Sequence, residues 1–445
     1  MARTKGATKI KPIPVPAAGS TGARSGSGKG AVRTATFAGQ KFSVSPVLDM
    51  FFYFMAERHR IHQLRLAGED PPWSKDDLMN SYPFTNVFRV YDRTTQYILR
   101  NVIKKGSQDL NEVCFRVILF RFFNKPETWE FLEEHLGTPT LKWSEYDASS
   151  YDRVLLLLEC KKIAPYSGCY ISPAPPFGWK RNYSNHLRLV QVMMEDNLPS
   201  ELKALDYLKD AHGRVCLYPA IGDFVGQQLL LDLNMTGHFL WSEKEWTALG
   251  PGSSACLRKM FGPQVAHYEQ EALHYLFETQ ETHFLRLGIS GNQVPRLSNS
   301  LPAGVSCVDI EHQLCECEKY CRGKFPDIKG KRTVVGRPYR ESPLPISADL
   351  PEHWLRPQPK VPSPSRPSAV VTEDGDPYYE VSHIVAEKKG VTGETRARYL
   401  VRWVGWGPED DWWLSEKDLG NASEVLKKWN ATKERIAARI AQVVG

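Results

Sequence analysis

A chain of 445 residues, 42% hydrophobic and 24% charged, is long enough for two or three domains and apolar enough to fold over most of its length, which excludes a wholly disordered or fibrous protein. No apolar run reaches the roughly 18 residues of a membrane span, and the first residues lack the apolar core of a secretion signal. The nine cysteines therefore read as reduced thiols of the cytosol or nucleus, and the net charge of +6 is concentrated in residues 1–41, which hold eight basic residues and no acidic one.

Residues 1–42 are rich in Gly, Ala, Ser, Thr and basic residues without apolar periodicity, and read as a disordered arm able to meet phosphate backbone. The stretch GSGKG within it lacks the first Gly and the Ser/Thr of a phosphate loop and has no strand before it, so that reading is rejected. After Met1, Ala2-Arg3-Thr4-Lys5 repeats the opening of the histone-three tail.

From 43 to 322 the apolar spacing predicts a large, mainly α-helical domain, with helices over Phe51–Leu66, Gln108–Phe123, Ser200–Ala211 and Asp223–Leu233. A helix running on from Asn86 would put Asn86, Arg89, Arg93 and Gln96 on one face with Asp92 in reach, either a polar site or a solvated face laced with ion pairs. Pro219, Ala220, Ile221 and Gly222 form a tight-turn signal before a helical run, a place where main-chain N–H groups can meet a phosphate. Glu243 and Glu245 follow about twenty residues later. Cys307, Cys315, Cys317 and Cys321 do not have metal-ligand spacing: on a helix Cys315 and Cys317 stand about 200° apart. No metal and no cofactor is expected. Lys329, Lys331 and Arg332 belong to a basic stretch suited to DNA, within a linker (323–377) that becomes Pro-rich.

The last segment, 378–445, predicts strands over Glu380–Lys388 and Ala397–Val404 around a turn-rich GVTGE, and a third strand near Trp412–Ser415. Asn421 and Glu424 resemble a capping box opening a helix whose Val425, Trp429, Ile436, Ile440 and Val443 share one face.

This segment resembles a chromodomain, the methyl-lysine reader of heterochromatin proteins. The resemblance puts Tyr379, Trp403 and Trp406 on the family's aromatic cage, Asp410 on the acidic position beside it, and Trp413 on a structural Trp expected in the core. A methylated ammonium sheds water cheaply and is held by ring faces worth roughly 0.5–2 kcal/mol each. In the large domain, PPW at Pro71–Trp73, FTNVFRVYDRTTQY, FRFFNKPETWEFL, YPAIG, GPG at Gly250–Gly252 and DIEHQLCECEKYCR occur in one order. Together they resemble the amino acid:DNA transferases, also called α-glutamyl/putrescinyl-thymine pyrophosphorylases, of phage thymine hypermodification. That resemblance implies a glycosylase-like fold, a helix-hairpin-helix at Pro219–Gly222 with Ala220 replacing a Gly, and candidate catalytic residues Asn86, Arg89, Asp92, Gln96, Glu245, Asp309 and Glu311. It also implies a separate kinase and dioxygenase that prepare the base.

The sequence thus describes a mainly α-helical, glycosylase-like domain joined to a small α+β module of three strands and a helix. The expected function is that of a nuclear chromatin protein that binds DNA and a histone-three tail methylated on lysine, with no membrane contact. Three classes stay open for the large domain: a base-modifying transferase, a base-excision glycosylase, and a non-catalytic DNA grip.

Overall fold

The structure, a computed structural model, describes residues 11–13, 15–16, 33–137, 139–328, 347–356, 364–371, 377–388 and 397–445. The ARTK opening, the GSGKG stretch and Lys329, Lys331 and Arg332 lie outside the described residues.

Strands β1 (Thr34–Phe37) and β2 (Gln40–Ser43) form an antiparallel pair. Helices follow in the order α1 (Val47–Leu66), α2 (Asp77–Ser81), α3 (Arg93–Tyr97), α4 (Leu110–Phe123), α5 (Pro126–Leu136), α6 (Ala148–Cys160) and α7 (Asn182–Glu195). Next come α8 (Leu198–Lys203), α9 (Leu208–Val215), α10 (Asp223–Asn234), α11 (Pro251–Phe261), α12 (Glu269–Arg286) and α13 (Cys307–Lys324). The chain closes with β3 (Val370–Val371), β4 (Pro377–Tyr378), β5 (Val381–Lys388), β6 (Arg398–Trp403), β7 (Trp412–Ser415) and α14 (Ser423–Val444). No described helix is long and apolar enough to cross a membrane.

The chain forms two compact units, one of Met1–Asp92 with Glu243–Asp349, the other of Arg93–Ser242 with Leu350–Gly445. The helical stretch 43–322 is divided between them, and the C-terminal module shares the second unit with the middle helices.

In the first unit, α1 is buried at every position from Met50 to His62, which makes it the central helix, packed against α11, α12 and α13. Its last turns carry charges into that core, so each needs a partner there. Arg60 donates to both oxygens of Glu57 at 2.8 and 2.7 Å. Arg58 donates to the Phe84 carbonyl and to Asn86 Oδ1, both at 2.8 Å.

In the second unit, α4 is the buried helix, and its Arg121 donates to Asp232 of α10 at 2.7 Å. The expected helix over Ser200–Ala211 is broken: α8 ends at Lys203 and α9 starts at Leu208. Between them the Leu205 carbonyl accepts from the Trp241 indole at 2.8 Å, a tertiary bond in place of a helical one.

The C-terminal sheet has the order β5-β6-β7, all antiparallel, over a core of Ile384, Tyr399, Val401 and Leu419. Val425, Leu426 and Trp429 of α14 close that core. The expected capping box does not form. Asn421 sits in a 3-10 turn, no side chain caps α14, and Glu424 pairs with Lys427. Trp413 is half-buried outside the core, with the Lys388 ammonium 4.3 Å over its ring. Part of the expected spacer also belongs to this module, because β3 pairs with β4.

Candidate functional site

Two sites emerge, one in each unit. In the first unit the FTN and DIEHQ motifs lie face to face, because side chains of α13 hold the loop at 85–87. Gln313 Nε2 donates to the Asn86 carbonyl at 2.8 Å, and the Thr85 N–H donates to Glu316 at 3.3 Å. Asn86 does not begin a helix. Its backbone N–H and its side-chain amide both donate to Asp92 Oδ1, at 3.0 and 3.1 Å. This side-chain bond closes the loop and displaces helical pairing. A 3-10 turn covers Arg89–Tyr91, Asp92 is extended, and α3 starts afresh at Arg93. The predicted common face of Asn86, Arg89, Arg93 and Gln96 is therefore absent, and Gln96 is buried in α3 of the second unit.

What the first unit does bring together is Asn86, Asp92 and His312. His312 Nε2 is 2.9 Å from Thr85 Oγ1 and 3.8 Å from Asp92 Oδ2. Burial pushes the Asp92 carboxyl up, against the opposing pull of His312, the Asn86 N–H, Arg58 and Arg89. Thr85 and Asp92 both meet the same ring nitrogen, so the three do not form a relay in which one nitrogen faces each partner. The pair suits proton exchange at a group presented to it. His312 was missed in the sequence, although it lies three residues after Asp309 and so on the same face of α13.

Asp309 and Glu311 have structural partners. Asp309 accepts from the Ser306 N–H and hydroxyl at 2.9 and 2.7 Å in a capping box that opens α13, and burial pushes its carboxyl up. Glu311 accepts from the Gly250 N–H at 3.1 Å and the Ser253 hydroxyl at 2.9 Å, capping α11 at the GPG motif. Glu245 lies before α11 and, with Asp309, pushes the Cys307 thiol up to about 12, after burial as the main cause. The nine cysteines are all free thiols.

In the second unit the turn 218–222 joins α9 to α10. Tyr218 is buried, and its hydroxyl donates to Asp196 at 2.7 Å. Ala220 takes φ +64°, the left-handed conformation that a Gly adopts without strain, and Gly222 opens α10 with no side-chain cap. Asp223 already stands in the first turn of that helix. His212, Cys216 and Asp223 cluster here within 4.8 Å. Cys216 Sγ is 3.7 and 3.8 Å from the two His212 ring nitrogens, nearly equidistant and so along the lone pair of neither. His212 Nε2 meets the Asp223 carbonyl at 3.0 Å, so the three are not presented as metal ligands.

The C-terminal sheet carries the second site. A bond of 2.9 Å from the Val404 N–H to the Glu380 carbonyl sets Tyr379 beside β6. The Tyr379 ring stands 6.2 Å from Trp403 and 5.7 Å from Trp406, at 64° and 86°. Trp412 adds a fourth ring, 6.0 Å from Trp403 and 63% exposed. Strand alternation could have found it, since neighbours on β7 face opposite sides. Glu409 and Asp410 lie at the same end of the module, both paired with Arg366. Rings set edge to face at 64–86° beside two carboxylates can hold a cation that has lost its water.

Residues 45–330 match the family model of the 5-hmdU DNA kinase helical domain, more than half of the chain. The chain belongs to that family. Residues 379–432 match the chromodomain model. A 5-hmdU DNA kinase of Bacillus phage SP10 is 24% identical over 235 residues, 48% of this chain and 36% of the phage protein. The human chromodomain Y-like protein is 38% identical over 72 residues, 15% of this chain and 12% of that protein. The chain thus spans about a third and about an eighth of the curated relatives it matches. No solved structure matches. The family found for the helical domain is that of the kinases' helical part, where the sequence motifs pointed to the transferases. A chromodomain and a domain related to DNA modification therefore occur in one chain.

Proposed function

We propose that this protein is a nuclear chromatin factor that reads methylated lysine on the histone-three tail and holds DNA carrying a 5-hydroxymethylated pyrimidine. The observation that carries the first half is the convergence of Tyr379, Trp403 and Trp406 within 5.7–6.2 Å in the segment that matches a chromodomain. The second half is supported by membership of the 5-hmdU DNA kinase helical family and by the open turn at 218–222. A flipped base would be needed for its 5-substituent to enter a pocket.

The facing of Asp92 and His312 favours a further step, in which the pair takes the proton given up by an amine as its nitrogen bonds the 5-methylene carbon of the base and the C–O bond breaks to release pyrophosphate. Another enzyme would then have to pyrophosphorylate the 5-hydroxymethyl group first. The test is binding of the full chain to trimethyl-lysine histone-three peptides, and to DNA duplexes that differ only in thymine against 5-hmdU. Equal affinity for both duplexes removes the base-specific half, and equal affinity for methylated and unmethylated peptide removes the cage.

A further inference from the structure

Residues 364–368, taken from the sequence as part of a Pro-rich spacer, lie against the cage end of the reader. The Arg366 N–H donates to the Gly405 carbonyl at 2.9 Å. Its guanidinium donates to Glu409 at 2.7 Å and to Asp410 at 3.3 Å, and its Cζ stands 5.8 Å from the centre of the Trp406 ring. Ser365 and Pro367 cross the bare Cα of Gly405 so closely that a Cβ there would fall 2.5 Å from Ser365 Oγ and 2.8 Å from Pro367 Cδ. Gly405 has φ +77°, so both its conformation and its missing side chain serve this crossing. Arg366 itself adopts φ +46°, a left-handed conformation that an arginine keeps only when neighbouring contacts hold it. Shortly after, β3 pairs with β4, which ends one residue before Tyr379, so the segment is anchored on both sides of the cage.

The groups that Arg366 engages, a cage ring and the acidic pair beside it, are those an incoming methylated lysine would use. We propose that residues 364–368 are an intramolecular ligand of the reader, in which Arg366 stands in for the methyl-lysine cation and must be displaced by it. This rests on the cage reading above. Arg366 then lowers the apparent affinity of every ligand that needs the cage. A guanidinium is weakly hydrated and stacks well on an indole, so an unmethylated lysine, which keeps its water, is the poorer competitor. The apparent affinity falls by the fraction of molecules whose cage is open, and a tethered competitor keeps that fraction low.

The test uses the full chain as wild type, Arg366→Ala and Trp403→Ala, titrated with a histone-three tail peptide carrying one trimethyl-lysine and with the unmethylated peptide. Arg366 is exposed, so its truncation leaves the fold intact. The expected result is that Arg366→Ala binds the methylated peptide about three- to tenfold more tightly than wild type. The unmethylated peptide gains by the same factor, so discrimination between the two is unchanged. Wild type that binds the methylated peptide, loses it on Trp403→Ala and gains nothing from Arg366→Ala overturns the intramolecular ligand and leaves the cage standing. Wild type and Arg366→Ala that both bind methylated and unmethylated peptide alike overturn the cage, and this inference with it.

Discussion

Gly213 of α9 lies so close to Val385 of β5 that a methyl group on its Cα would sit 1.7 Å from the Val385 carbonyl oxygen. Beside that contact, Arg402 donates to Asp210 at 3.1 and 2.8 Å and to Asp411 at 2.5 and 3.1 Å, and Lys209 meets Asp411 at 2.7 Å. The Arg402 guanidinium also stands 4.8 Å from the centre of the Tyr207 ring. The reader is joined to α9 by backbone closeness and a buried charge network, and both can be broken separately. Gly213→Ala should lower the stability of this unit by about 1–3 kcal/mol through overpacking. Arg402→Ala, which takes the guanidinium from buried Asp210 and leaves Asp411 with Lys209 alone, should cost about 3–5 kcal/mol. Denaturant titration of the full chain measures both, and a Gly213→Ala protein as stable as wild type would refute the close contact.

Truncating the cage rings should weaken trimethyl-lysine binding unequally. Trp403→Ala removes a ring that touches both Tyr379 and Trp412 and should cost about 1–2 kcal/mol in peptide affinity. Trp412→Ala removes the more exposed ring and should cost less, with no loss of fold. Calorimetry with one methylated peptide ranks the two, and the reverse order would take Trp412 out of the cage.

Asp92→Asn separates structure from chemistry. The amide keeps an oxygen to accept from the Asn86 N–H and side chain, and it removes a carboxylate whose folded pKa is raised chiefly by burial. A raised carboxyl pKa stabilises the fold only at low pH and costs stability once the group ionises. The variant should therefore have a Tm equal to or above that of wild type at pH 7. Any product of base modification, followed by nucleoside mass spectrometry, should disappear. Product formation unchanged by Asp92→Asn would assign the step elsewhere.

Buried histidines give the chain a lower pH limit. Burial holds the pKa of His59, His186 and His283 down at about 4, and the His283 Nδ1 accepts from Arg286 Nε at 2.9 Å, a bond that needs the neutral ring. A depressed folded pKa means that the stability these rings contribute is complete above their unfolded value of about 6.5 and is lost as pH falls toward 4. Asp92 and Asp309, whose carboxyls are raised, act in the opposite sense. Tm should fall between pH 6.5 and 4, and His283→Gln should make that fall shallower.

At the 218–222 turn, Ala220→Gly should stabilise the second unit by about 1 kcal/mol, because Ala220 holds φ +64°. Asp223→Asn should tighten binding of a DNA duplex at low salt, since it removes a negative charge from the helix end that would meet phosphate. DNA affinity indifferent to Asp223→Asn would move the DNA contact away from this turn.

The reader was legible because its signals are local. Period-two alternation placed β5, β6 and β7 within a residue or two, and three aromatic positions followed from one short resemblance. The site in the first unit was half legible. Asn86 and Asp92 were expected near one helical face and instead meet through a side-chain loop, which periodicity cannot register because no helical repeat is involved. Asp309 and Glu311 stood out as carboxylates, yet their partners are N–H and hydroxyl groups at the starts of α13 and α11, the second set about sixty residues away in the chain. Arg366 looked like one more basic residue in a spacer, since nothing in its own neighbourhood of sequence names Trp406 or Glu409 as its contacts.

The joint between β6 and α9 has a geometric meaning. Helix α9 leads into the 218–222 turn, so the sheet that carries the aromatic rings and the turn belong to one compact unit, tied through Arg402 and Asp210. Under the function proposed above, tail and duplex would not be engaged as two independent events. With the tail seated, the turn would reach DNA only at one bearing from it. On an array of nucleosomes, protection of DNA should recur in phase with the marked tails. Cutting the joint with Arg402→Ala should blur that phase into uniform, unpositioned protection while leaving each contact able to form by itself.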